Sequence, residues 1–162
     1  MTIADRYASS MDELTTLQCN QLLAEEDVAH IAVISHGEPY VSPVSYVISD
    51  GELLFRTGAG RRLDAIEEDP RVCVEVTRYD GESGDWHSVI AWGTARVIEE
   101  SPRTSETISM LLSKYRHVMG SPLSFGAGLP MAEAHVVAVR LETVTGRSSG
   151  SFLGPRSRPG RL

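Results

Sequence analysis

Cysteine is scarce in this sequence. Only Cys19 and Cys73 occur, far apart and without a C-x-x-C spacing. That excludes a disulfide-built scaffold and offers no zinc-binding pattern. Cys73 lies in an apolar run and is expected to be a small buried hydrophobe; Cys19 falls on a predicted helix. The histidines are His30, His36, His87, His117 and His135. None stands at ligand spacing with a second His, Cys or carboxylate on one helix face, so no metal site is expected. Positive charge is in deficit, with 15 basic against 22 acidic side chains and a formal net charge of -7. A nucleic-acid partner is therefore not expected. No apolar run approaches the ~20 residues that span a bilayer. Residues 1–12 lack a basic-then-apolar secretion pattern, so the expected location is the cytoplasm. There is no internal repeat. Ser35 and Ser88 lack a nucleophile-elbow context, and Gly58-x-Gly60 is too short for a dinucleotide fingerprint.

What is present is an ordinary globular composition, 41% hydrophobic over 162 residues, enough for one domain with one core. Residues 1–14 form a weakly patterned lead-in. Thr15 or Thr16 caps a helix to about Glu25, with Leu17, Leu22 and Leu23 on its apolar face. Residues 28–35 form a strand, His36-Gly37-Glu38-Pro39 a turn, and residues 40–49 a second strand, in which Pro43 marks an edge or bulge. Ser49-Asp50-Gly51 is a hairpin turn before a third strand, 52–57. A short helix, 61–68, stops before Asp69-Pro70. Residues 71–78 alternate, with Val72, Val74 and Val76 on one face and Cys73 and Glu75 on the other. Residues 79–85 are a loop. Residues 87–98 are a strand with a bulge near Gly93. Residues 102–117 are helical by the recurrence of Ile108, Leu111, Leu112 and Tyr115. Residues 119–131 are an irregular Gly/Pro-rich connection, and 135–144 are the last strand. The acidic pairs Glu25-Glu26, Glu67-Glu68 and Glu99-Glu100 are expected at the solvated surface, and Trp92 is expected to pack. Six antiparallel-style strands with peripheral helices predict a small β-barrel, mainly β with some α.

One stretch breaks the pattern. Leu54-Phe55-Arg56-Thr57 ends a strand, Gly58-Ala59-Gly60 turns, and Arg61-Arg62 open a helix. Cations in a first helical turn oppose the helix dipole, at roughly 0.3–1 kcal/mol each when exposed. An anion at that helix start would reverse the sign of the effect, and phosphate is the anion that free amides and guanidinium groups suit best. Two solvated arginines on an ordinary strand-to-helix connection are the other reading.

With these segments in place the sequence resembles the pyridoxamine 5'-phosphate oxidase-like proteins, the FMN-binding split barrels, and among them the nitroimidazole-resistance-type branch. The resemblance is carried, in order, by residues 17–35, by Val41-Ser42-Pro43-Val44-Ser45-Tyr46-Val47 with Asp50-Gly51-Glu52-Leu53-Leu54-Phe55-Arg56-Thr57, by Gly58-Ala59-Gly60-Arg61-Arg62-Leu63-Asp64-Ala65 with Asp69-Pro70-Arg71-Val72, and by Trp86-His87-Ser88-Val89-Ile90-Ala91-Trp92-Gly93-Thr94-Ala95. Val144-Thr145-Gly146-Arg147 is similar to the closing motif of that family. It implies a six-stranded antiparallel split barrel over residues 1–147. Residues 148–162 would be a tail, flexible or docked on a partner. It further implies a homodimer with FMN at the subunit interface, acting on an unidentified small molecule as an oxidoreductase. Arg61 and Arg62, helped by Thr57, would hold the FMN phosphate; Arg62 stands where relatives usually carry lysine. Ser42, Pro43, Val44 and Ser45 would line the flavin ring. Trp86 and Ser88 would reach in from the partner subunit, and Arg147 would be a further contact. No catalytic side chain is indicated. The deazaflavin F420 in place of FMN, or a non-catalytic flavin- or haem-binding dimer, are the alternatives.

Overall fold

A computed structural model describes residues 11–99, 101–116, 134–150 and 152. The elements are β1 (Asp12–Glu13), α1 (Thr16–Glu25), β2 (Val28–Ser35), β3 (Glu38–Ser49), β4 (Glu52–Thr57), α2 (Arg61–Glu68), β5 (Arg71–Tyr79), β6 (Trp86–Ile98), α3 (Ser101–Lys114) and β7 (His135–Ser148). The strands run β7-β4-β3-β2-β5-β6, and β6 pairs back onto β7, which closes a six-stranded ring. Every pairing is antiparallel. The lead-in is less loose than its composition predicts: β1 pairs with the end of β7, and the Leu14 amide donates to the Gly146 carbonyl at 2.9 Å.

Two two-residue turns set the β2–β3 and β3–β4 registers. His36-Gly37 and Asp50-Gly51 both have positive φ at both positions, the twist that suits a tight hairpin. Alternation then decides what faces inward. Ile31, Val33, Val44, Tyr46, Leu53, Phe55, Val74, Val76, Val89 and Val137 all contribute to the principal core. One end of this core is stoppered by Cys19, Leu22 and Leu23 of α1. Leu63, Ala65 and Ile66 of α2 pack into it as well. A second cluster lies outside the ring, where Ile108 and Leu111 of α3 cover Val47, Leu54, Ile98, Val136 and Ala138. This is why residues 136–139 are buried without alternation.

The bulge expected near Gly93 is there, and the extra residue sits on β7. Trp92 pairs with Thr143 and Gly93 with Leu141, leaving Glu142 unmatched. Leu141 and Val144 can then both pack on the core despite being three residues apart. A Cβ on Gly93 would lie 2.1 Å from the Arg140 carbonyl oxygen.

Glu25 and Glu26, expected in solvent, instead hold Arg78. Its Nε donates to Glu26 at 2.6 Å and its Nη2 to Glu25 at 2.7 Å. Arg78 is on the inward face of β5 and needs countercharge there, and the end of α1 supplies it. The C-terminus of α3 is tied down by Lys114, which donates to the carbonyls of Glu26 and Tyr46 at 2.6 and 3.1 Å. Ser148, assigned to the tail, completes β7. Past it, Ser149 bonds to the backbone of Trp86, and the Phe152 ring meets the edge of the inward-facing His87 at 5.2 Å. His117, the connection 119–131 and the rest of the tail lie outside the described residues. No helix among the described residues is long and apolar enough to cross a membrane.

Candidate functional site

β3 and β4 are paired only from Tyr46↔Phe55 to Ser49↔Glu52. Beyond Tyr46 the two strands part. β3 stays on β2 through Pro43 and Ser42, while β4 stays on β7 through Thr57. Pro43 therefore stands on a locally open edge, where its missing N–H costs no ladder bond. α2 begins beside this opening. Gly60, at φ 139°, is its cap residue and gives no side-chain hydrogen bond; a residue with a Cβ would be strained there.

Arg62 fills the gap between the parted strands. Its Nε and Nη2 donate to Thr57 Oγ1 at 3.3 and 3.0 Å. Its Nη1 donates to Ser42 Oγ at 2.9 Å and to the Pro43 carbonyl at 3.3 Å. The guanidinium carbon is 5.6 Å from the centre of the Phe55 ring. Burial, partly offset by Tyr40, lowers its pKa from the ordinary arginine value. Arg61 turns the other way. Its Nε donates to Ser35 Oγ at 2.9 Å, and its guanidinium carbon lies 4.6 Å from the centre of the Tyr40 ring.

The partners of these two arginines are unusual for this chain. Arg71, Arg78, Arg96, Arg103, Arg140 and Arg147 all pair with carboxylates. Among the described residues no carboxylate lies within ion-pair distance of Arg61 or Arg62. Acidic groups outnumber basic ones, so two adjacent cations held only by neutral oxygens and rings leave a local positive field at a helix start. An anion is what such a field attracts.

Thus one chain brings together Ser42, Pro43, Thr57, Arg61 and Arg62. Val44 and Ser45 continue the same stretch of β3, Val44 buried inward and Ser45 half-buried outward. Trp86, Ser88 and Arg147 form a second group. Ser88 donates to Glu75 at 3.2 Å and stands across from Arg147, which pairs with Glu13 at 3.3 Å. Strands β2 and β5 separate Trp86 and Ser88 on β6 from β3, and β4 lies between Arg147 on β7 and β3; the hydrogen bonds of the two arginines go to other residues. The sequence reading missed Ser35 and Tyr40 as supports of Arg61. A polar Ser35 on the inward parity of an otherwise apolar strand was the available sign.

Among the described residues no helix covers the outer face of β2, β5 and β6. Trp92, expected to pack, is 47% exposed there, because its parity points outward and α3 covers other strands. Val41, 62% exposed, and Ile34 and Ile90 share this outward side. A shallow groove of about 400 Å³ lies between Ala32, Pro39, Cys73 and Trp92.

Comparisons with known proteins place this geometry. A sequence model of the family described as pyridoxamine 5'-phosphate oxidase matches residues 15–148. An uncharacterized protein of Rhizobium meliloti (strain 1021) is 25% identical over 76 residues, 47% of this chain and 50% of that protein. The chain thus spans about half the length of the curated relative it matches. Among solved structures, a FAD-binding protein from Mesorhizobium loti superposes with a TM-score of 0.73 at 24% identity, over 86% of this chain and 99% of that one. A putative 5-nitroimidazole antibiotic resistance protein from Bacteroides thetaiotaomicron gives 0.66 at 13% identity, over 86% and 89%. At such identities the likeness establishes the fold, which is the split barrel.

Proposed function

The chain belongs to the pyridoxamine 5'-phosphate oxidase family, and from that premise we propose that it is a flavin-dependent oxidoreductase that binds FMN at the interface of a homodimer. The observation that carries the reading is the pair of guanidinium groups at the start of α2 with no carboxylate within ion-pair distance among the described residues. A dianionic phosphate there would gain charge-assisted hydrogen bonds and the favourable end of the helix dipole. The Mesorhizobium loti relative, described as FAD-binding, supports a flavin with the same anionic chemistry. Flavin supplies the hydride or electron transfer. The chain's own groups bind and orient it: the arginines and Thr57 at the phosphate, and Ser42, Pro43, Val44 and Ser45 along the open edge of β3 beside the ring.

The uncovered outer face supports the dimer. Val41, Ile90 and Trp92 expose apolar surface on one side of the sheet, and a contiguous apolar patch of this kind marks an interaction surface. Trp86, Ser88 and Arg147 have outward parity on β6 and β7, as Pro43 and Ser45 have on β3. A second copy laid face to face would carry its Trp86 and Ser88 to the open edge that one chain leaves uncovered.

Absorbance of the purified protein, followed by chromatography of what heat releases, tests the reading. Flavin bands and released FMN are expected. Arg61→Ala should weaken FMN binding by roughly tenfold or more, as loss of a charged hydrogen-bonding partner does. A protein that takes up neither FMN nor FAD on titration overturns the proposal, and uptake of F420 instead of FMN replaces the cofactor.

A further inference from the structure

Resting on the flavin reading above, we infer that His30 is a hydrogen-bonding residue at the ring end of the site. Its Nε2 accepts from the N3–H of the flavin ring, and Glu75 is the positioning residue that holds the imidazole in the form that can do so.

One row of side chains across the outer face carries this. Register sets Pro43 of β3, His30 of β2, Glu75 of β5 and Ile90 of β6 side by side, and all four have outward parity. The adjoining row is Val41, Ala32, Cys73 and Trp92, which offers no carboxylate and no imidazole. A histidine and a glutamate in the middle of such a surface serve neither the core nor the arginines.

Their hydrogen bonds have a direction. Glu75 Oε2 lies 3.1 Å from His30 Nδ1. The other oxygen, Oε1, accepts from Ser88 Oγ at 3.2 Å and from Thr77 Oγ1. The carboxylate is thus fixed by hydroxyls from its own strand and from β6. An ionised carboxylate only accepts, so the proton of the pair sits on His30 Nδ1. A neutral imidazole with its proton there presents a lone pair at Nε2. Among the described residues Nε2 has no hydrogen-bond partner, and the His30 side chain is 52% exposed, so the lone pair is open to a ligand.

That ligand must bring a donor. The oxidised flavin ring carries several acceptors and one N–H, at N3. Pro43 is among the residues assigned to the ring, and it has no N–H and no polar side chain to offer. His30 is its neighbour on β2, the first polar side chain along this row from the open edge of β3. Once a ring and a second copy cover the face, water is excluded and a hydrogen bond there gains strength. An exposed His–Glu pair adds little to stability by itself, so loss of His30 should be felt by the ligand and not by the fold.

The test titrates the full-length protein with FMN and with 3-methyl-FMN, in which a methyl group replaces the N3 hydrogen. Light scattering and melting temperatures run alongside. Wild type is expected to prefer FMN about fivefold or more, the effect of one ordinary hydrogen bond. His30→Phe should bring the two affinities together by weakening FMN alone, with the melting temperature and the oligomeric state unchanged. Glu75→Leu frees the imidazole to turn and to move its proton to Nε2; it should lower the preference in the same direction although His30 remains. This second variant decides the matter if His30→Phe does not fold. The inference is overturned if wild type binds the two ligands equally, if both variants keep the wild-type preference, or if they weaken both ligands in parallel with loss of the dimer, which would make the pair an interface contact only. Each of those outcomes leaves the flavin reading standing. Wild type that binds neither ligand sinks that reading and this inference together.

Discussion

Glycine at position 146 shows how one residue can serve a motif without touching a ligand. A Cβ there would lie 2.6 Å from Cys19 Sγ and 2.9 Å from Leu14. The absence of a side chain is what lets α1 and the lead-in settle against β7. Gly146→Ala should therefore destabilise the fold by about 1–3 kcal/mol, the usual cost of overpacking a tight contact. Urea unfolding checks this, and an unchanged midpoint would show that α1 shifts freely. Cys19 itself is a packing residue: burial pushes its thiol above the ordinary value despite an opposing backbone hydrogen bond. At this scale the sequence was informative about Arg61 and Arg62, because cations at a helix start are conspicuous. It was silent about their supports. Ser35 and Tyr40 precede Arg61 by more than twenty positions, and only the β2–β3 hairpin brings them under its guanidinium.

Between elements, junctions are where charge placement matters most. Asp69 closes α2, and its carboxylate takes bonds from both the backbone and the guanidinium of Arg71 as β5 begins. Those bonds, the side-chain one foremost, hold its pKa down at about 2. A carboxyl depressed in the folded state adds stability above its unfolded pKa and loses it as pH falls toward the folded value. Asp69→Asn should accordingly be less stable than the parent at pH 5, and the difference should vanish on approach to pH 2. Denaturant titrations across that window measure it; a difference that does not change with pH would refute the assignment. α1 shows how local chemistry sets a boundary. Thr15 Oγ1 accepts from the Gln18 backbone N–H while the Thr15 backbone N–H donates to Gln18 Oε1, and this box is worth roughly 1 kcal/mol. The acidic pair ending α1 was misjudged as solvated, because its buried partner, Arg78, lies more than fifty positions away.

For the whole molecule, the face of β2, β5 and β6 that no described helix covers is the feature with consequences. Trp92→Glu would place a charge in the middle of the proposed interface. It should raise the dimer dissociation constant at least tenfold, an ordinary effect for a central aromatic residue. Light scattering across a concentration series is the check, and flavin occupancy should fall with the dimer. A variant that stays dimeric would move the interface elsewhere on the barrel.

Period-two alternation, two glycine turns, a capping threonine and an ordinary apolar content were enough for the chain by itself to determine the six barrel strands, though not β1 or the far end of β7, most of its helix limits and its barrel class. These depend on neighbours a few residues apart, and their physics is local. Closure of β6 onto β7, the parting of β3 from β4, the partners of the two arginines and the side left bare were decided only in three dimensions. Each depends on register between distant segments, and register is set by which side chains fill one shared interior.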